Sequence, residues 1–240
     1  MATATARPRA DRTNTTTITT TTMTGMGTTT DPALILHQWL SPAFPVGAFA
    51  YSHGLEWDVA AGRVTDAAAF ADWLDTVLEH GSGRNDAILL AAAYRADDAA
   101  LDGIAELADA LAPSSERREE TLAQGRAFAA TAAALHGIDL APMAYPVVVG
   151  RAARLLELPL DLTLRLFVQA FAASITSAAI RLIPLGQTDG QRVLALASPR
   201  IEDLATQAVP GDVEAVGGAV PLIDIASMRH ERQGTRLFRS

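Results

Sequence analysis

Leu160-Asp-Leu-Thr-Leu164-Arg-Leu-Phe167-Val-Gln-Ala-Phe171-Ala-Ala-Ser-Ile175-Thr-Ser-Ala178-Ala-Ile-Arg-Leu182 is the stretch on which the fold class turns. Leu160, Leu164, Phe167, Phe171, Ile175, Ala178 and Leu182 recur every three or four positions, which lines them along one stripe of an α-helix. Ala, Ser and Thr beside the stripe let a neighbouring helix approach closely. Pro159 suits the start of this helix, and Pro184 with Gly186 ends it. Its longest uncharged run, residues 166–180, is shorter than the ~20 residues that a membrane crossing needs. A helix this apolar has to be covered by others.

Helical signals continue on both sides. Asp31 and Pro32 read as N-cap and first-turn proline for residues 33–40. The prolines and glycine of Ser41-Pro-Ala-Phe-Pro45-Val-Gly47 then forbid a continuous helix. A short helix over residues 55–61 stops at Gly62. Thr65 caps the next, whose Phe70, Trp73, Leu74, Val77 and Leu78 share a face, and Gly81 stops it. Residues 85–111 read as one or two Ala-rich helices, and residues 114–136 as another, started by Ser115 and ended by Gly137. Pro146 belongs to the first turn of a helix reaching about residue 157, and two more helices fall near residues 187–196 and 199–208. Residues 220–240 show no clear helical face. The compact strand candidates, residues 147–149 and 193–196, lie inside helical periods. The expected fold is all-α: one helical-bundle-like domain of about eight to ten helices over residues 31–226. Residues 1–30, Thr-rich and without hydrophobic period, are expected to be a disordered tail, because nothing offsets the cost of ordering them. Met23 or Met26 could then be the biological start. Residues 227–240 form a separate C-terminal tail.

Composition narrows the chemistry. The 240 residues are 49% apolar and 19% charged, a globular balance. There is no cysteine, which excludes disulfides, thiolate metal sites and thiol nucleophiles. All 19 basic residues are arginine, so lysine-dependent phosphate loops and Schiff bases are excluded too. A net charge of −8 argues against binding nucleic acid. No secretory signal follows Arg7, Arg9 and Arg12, and the chain is expected in the cytoplasm, with no membrane partner.

Three constellations in the sequence could carry chemistry. Ala50-Tyr-Ser52-His-Gly54 resembles a nucleophile elbow. With Asp224 and His230 downstream it offers the Ser…Asp…His order of a hydrolase, in which Ser52 would attack and His230 take its proton. That elbow needs a parallel sheet, which the pattern lacks. Among the histidines (His37, His53, His80, His136, His230) none pair at metal-ligand spacing; His53 and Glu56 could share a helical face, but two ligands do not close a site. Gly81-Ser-Gly83 before a helix lacks a phosphate-loop pattern and reads as a turn. Glu119-Glu120 and Asp97-Asp98 read as solvated surface, and Trp39, Trp57 and Trp73 as core or interface anchors. No catalytic residue, metal ligand or cofactor site is expected.

The C-terminal end carries more information. Residues 228–240, Met-Arg-His-Glu-Arg-Gln-Gly-Thr-Arg-Leu-Phe-Arg-Ser, hold four arginines against one glutamate in an acidic chain. Leu237-Phe238 between Arg236 and Arg239 suits docking, an apolar anchor flanked by guanidinium groups that fork onto carboxylates.

Three separated motifs together resemble the UreF family of urease accessory proteins. The first is Leu36-His-Gln-Trp-Leu-Ser41-Pro42-Ala-Phe-Pro45-Val-Gly47-Ala-Phe49-Ala-Tyr-Ser52-His-Gly54-Leu55-Glu56-Trp57. The second is Ser177-Ala-Ala-Ile-Arg181-Leu-Ile-Pro184-Leu-Gly186-Gln187, and the third Arg229-His230-Glu231…Gln233…Arg236-Leu-Phe-Arg-Ser240. The resemblance runs from about residue 32 to residue 240. It implies a helical, non-catalytic protein that dimerises, binds UreD (UreH in some organisms), recruits the nickel-carrying GTPase UreG, and presents the assembly to the urease apoprotein. There it gates GTP hydrolysis and nickel delivery. By this resemblance the tail residues Arg229, His230, Glu231, Gln233, Arg236, Leu237, Phe238, Arg239 and Ser240 bind UreD or UreH, while Glu56 and Arg181 face UreG. Lysine can stand at the family position of Arg181; arginine keeps the charge but changes the hydrogen-bond geometry.

Overall fold

The computed structural model describes residue 1 and residues 30–240. The expected disordered tail and the alternative starts at Met23 and Met26 lie outside the described residues. Helices follow in the order α1 (Pro32–Leu40), α2 (Leu55–Ala60), α3 (Ala67–His80), α4 (Ser82–Arg95), α5 (Asp98–Ala110), α6 (Ser115–His136), α7 (Tyr145–Leu155), α8 (Leu160–Leu182), α9 (Gln187–Leu196), α10 (Ser198–Ala208) and α11 (Pro221–His230). Short 3-10 turns occupy Ala48–Ala50 and Val213–Ala215, and there is no strand among the described residues. The all-α expectation holds.

Local chemistry accounts for most boundaries. Asp31 caps α1 through the Ala33 N–H, with Pro32 in its first turn. The cap of α3 is Asp66, whose carboxylate accepts from Ala69, and not the expected Thr65. Ser114 caps α6 through the Arg117 N–H, one residue before the expected Ser115. The Ala-rich stretch is two helices, split where Asp97 caps α5. The proline–glycine segment between α1 and α2 is non-helical except for its 3-10 turn, as expected.

Within residues 31–240, α8 lies at the centre against α1, α4, α9 and α10. Leu164, Phe167, Ile175 and Ala178 of the expected stripe are buried. By length and a mean hydropathy of 1.4, α8 could cross a membrane, but half of that window is covered by this protein's own helices. The α4–α7 contact is close because Gly150 has no side chain: a Cβ there would stand 2.2 Å from the Leu90 carbonyl oxygen. Trp39, Phe44, Phe128, Tyr145 and Phe167 link α1, α6, α7 and α8 in a chain of tilted and edge-on ring contacts.

The departure from expectation is α11. Its inward residues are Ala226, Ser227 and His230, while Leu222, Ile225 and Met228 point outward. The buried face is small and polar, so hydrophobic periodicity could not reveal it. The helix also runs through residue 227, where the tail was expected to begin.

Candidate functional site

The site forms where residues 50–57, the start of α6 and the last fourteen residues meet. Gly54 makes it possible: φ of +81° puts it in the left-handed region, and a Cβ would lie 2.8 Å from the Ser227 nitrogen of α11. Ser114 and Ser227 close the same junction through their hydroxyls, 2.6 Å apart. α2 and α11 are thus held in backbone contact, with Glu56 beneath the tail.

Glu56 is only 5% exposed, and its carboxylate is saturated by the tail. Oε1 accepts the Leu237 N–H at 2.7 Å, and Oε2 accepts the Phe238 N–H at 2.9 Å. His230, wholly buried, lies with Nε2 3.1 Å from Glu56 and Nδ1 2.6 Å from Glu116. A ring bearing one proton can donate to only one of these carboxylates; filling both contacts takes a second proton, on the ring or on a carboxyl. Glu116 also pairs with Arg236.

Three residues further along, the tail ends on a second buried carboxylate. The Arg239 N–H donates to the Ala50 carbonyl, and the backbone N–H and hydroxyl of Ser52 both donate to the Ser240 carbonyl oxygen. The Ser240 hydroxyl donates to Glu120 at 2.5 Å. Glu120 also pairs with Arg117 and lies 3.2 Å from His53 Nδ1. Burial pushes the Glu120 carboxyl up, but Arg117, His53 and the Ser240 hydroxyl together hold it below the usual carboxylate range. Burial, reinforced by Arg117 and opposed by Glu120, drops His53 to about 3, so its ring is neutral. Arg181 covers the tail from α8: it donates to the Phe49 carbonyl at 3.0 Å, and its guanidinium stands 4.4 Å from the Phe238 ring centre. Outside this arrangement Arg229, Arg232, Leu237 and Arg239 are exposed, and Glu231 accepts from the Ser115 N–H and hydroxyl.

Most residues named from the sequence converge here: Ser52, Gly54, Leu55, Glu56 and Trp57 from the first motif, Arg181 from the second, and the tail. Two outcomes differ from the simple picture. Phe238 is buried within its own chain, and Leu237 is the exposed member of that pair. Glu56 and the tail, which the resemblance assigns to different partners, are bonded to each other. Ser41, Pro42 and Phe49 line a neighbouring cavity instead, Pro45 is exposed on the same loop, and Gly47 (φ +73°) turns the chain into the 3-10 turn. Pro184, Gly186 and Gln187 form the exposed α8–α9 turn.

The hydrolase alternative is not assembled. Ser52 Oγ bonds the Ser240 carbonyl and His230 lies between two glutamates, with neither Ser52 nor Asp224 as its partner. No group of three or more His, Asp or Glu that could hold a metal occurs among the described residues. His136 accepts from the Trp39 indole.

Sequence reasoning missed Glu116, Arg117 and Glu120, and Glu120 proves to be 2% exposed where solvated surface was expected. The signal was present: Arg117, Glu120 and Gln124 fall on one helical face at i, i+3, i+7 and are all buried.

A sequence model of the UreF family matches residues 64–197. Urease accessory protein UreF of Cereibacter sphaeroides is 52% identical over 207 residues, covering 86% of this chain and 98% of its own length. The UreF proteins of Roseobacter denitrificans and Ruegeria pomeroyi are 50% and 46% identical, covering 88% and 90% of this chain and 96% and 100% of their own.

Proposed function

Because the chain belongs to the UreF family of urease accessory proteins, we propose that it is a cytoplasmic, homodimeric adaptor that joins UreD (UreH) to the GTPase UreG on the urease apoprotein. In that assembly it gates GTP hydrolysis and the delivery of nickel, its cargo, and breaks no bond itself. The observation that carries this reading is the docked tail. In a chain of net charge −8, residues 229–240 present Arg229, Arg232 and Arg239 outward beside Leu237, while Arg236 is paired with Glu116. That pattern suits a partner with carboxylates around an apolar patch.

The bonds beneath the tail link the two partner surfaces. Glu56 and Arg181, the residues assigned to UreG by resemblance, touch Phe238 and the Leu237 amide directly. UreD held on the outer face of the tail therefore stabilises the docked form, and the docked form completes the surface offered to UreG. Partner binding that favours one of two states of a segment is a coupling of this kind. Co-purification tests it. Removal of residues 235–240 abolishes UreD capture and leaves far-ultraviolet circular dichroism unchanged; UreD capture by the truncated chain at the full-length level would refute the reading.

A further inference from the structure

A second feature stands apart from the tail and from the adaptor reading. A cavity of about 180 Å³ opens between the α1–α2 loop, α6 and α8. Its walls are aromatic, with Trp39, Phe44, Phe167 and Phe171, and its floor holds Asp86 of α4 and Tyr145 of α7. Among the described residues no donor hydrogen-bonds the Asp86 carboxyl, and the Tyr145 hydroxyl has no partner either. Arg117, the cation of this floor, is committed to Glu120 and to His53.

Asp86 and Tyr145 are half-buried, so water reaches their oxygens through the open side of the cavity, and a ligand that displaces it has to offer the carboxyl a donor in return. Burial pushes Asp86 up to about 7, with Glu120 adding to the rise and Arg117 opposing it. The remaining groups facing it, neutral His53 and Tyr145, bring no positive charge. A ligand cation would meet this need, because aromatic faces attract cations and the carboxylate would gain a charge-assisted donor. An anion would face Asp86 and Glu120 together. The volume compares with the roughly 150 Å³ cavity that accommodates a benzene ring.

We propose that this cavity is a binding site for a small organic cation, its ammonium head on Asp86 and its ring-sized apolar body between Trp39, Phe44, Phe167 and Phe171. Nothing in the proposal depends on UreD or UreG.

Benzylammonium, benzyl alcohol and benzoate, titrated calorimetrically into the full-length chain at pH 8, test it. Benzylammonium binds one per chain and about tenfold or more tighter than benzyl alcohol, and benzoate does not saturate. In Asp86→Asn the benzylammonium affinity falls about tenfold while that of benzyl alcohol stays within about threefold. Below pH 7 the wild-type affinity for benzylammonium drops, approaching about tenfold per pH unit as Asp86 takes up its proton. Ala170→Leu, which fills the cavity from α8, weakens both ligands together. The proposal fails if benzylammonium does not saturate, if it binds no better than its alcohol, or if wild-type affinity is flat between pH 5 and 8. The pH series needs no variant, so it decides the matter even if Asp86→Asn does not fold.

Discussion

The α4–α7–α8 interior and the C-terminal tail are both buried, but by opposite means. In the interior, Leu90, Ala91, Val148, Val149, Ala152 and Ala179 are inaccessible and apolar, and helices touch through glycine and alanine. In the tail, Phe238 is the one large apolar side chain that goes inside, and the rest of the docking is polar: backbone N–H groups on Glu56, Arg236 on Glu116, His230 between those two carboxylates, and the Ser240 hydroxyl on Glu120. Apolar burial is non-directional and insensitive to charge; bonds to carboxylates are directional and can be exchanged for bonds to water. Trp57 Nε1 and Gln233 Oε1, both buried in this region, have no hydrogen-bond partner, so the docked arrangement leaves two polar atoms unsatisfied. The interior is held by apolar packing, and the tail by polar bonds.

Substitutions can break or sharpen that contrast. The largest effect belongs to Gly150→Val. Overpacking alone costs about 1–3 kcal/mol, and here the added carbons meet backbone, so Tm falls by about 10 °C or more in a thermal scan. A change of only a degree or two would mean that the helices can part cheaply.

Glu56→Ala comes next and should act locally. It strips acceptors from two amides and from His230, but the tail can swing out and satisfy them with water, which caps the global loss. Trypsin cleavage after the tail arginines accelerates about tenfold or more while Tm moves by only a few degrees. An unchanged cleavage rate would show that apolar contacts, not the carboxylate, hold the tail.

Asp86→Asn probes a half-buried charge in the body. Asp86 is raised to about 7 and His53 lowered to about 3. Between the unfolded values, roughly pH 4 to 6.5, folding adds a proton at Asp86 and withholds one at His53, so the two slopes cancel. Above pH 7 the folded chain carries Asp86 charged and partly desolvated. The asparagine variant is therefore more stable than wild type at pH 8, by about 5 °C in Tm. It also loses stability as pH falls from 6.5 towards 3, because the unfolded His53 takes up a proton that the folded ring refuses. A pH-stability curve parallel to wild type would contradict both assignments.

Arg181→Lys gives the smallest change. It keeps the charge but weakens the contact with Phe238 and the bond to the Phe49 carbonyl, about 0.5–1 kcal/mol, read as a two- to fivefold faster tryptic cut of the tail.

Helices α1, α3, α6, α7, α8, α9 and α10 were legible to within a few residues, because each combines a cap or proline signal with an apolar period. Glu56 and Arg181 could be singled out by motif, and the arginine-rich end by its contrast with the rest of the chain. What they touch could not be read. Glu56 meets Phe238 across 182 positions of sequence, and Ser52 meets Ser240 across 188. Helix α11 escaped notice because it buries alanine, serine and histidine, and Glu120 because a carboxylate at the start of a helix is exposed by default.

Residue order was enough for everything governed by neighbours three or four positions apart: where helices start, which stripe turns inward, where prolines and glycines interrupt. Whether a given charge is solvated, which histidine is neutral, and which face of the last helix looks out depended on the assembled chain. Those properties are set by the groups that packing brings alongside, and a low-dielectric interior multiplies their effect.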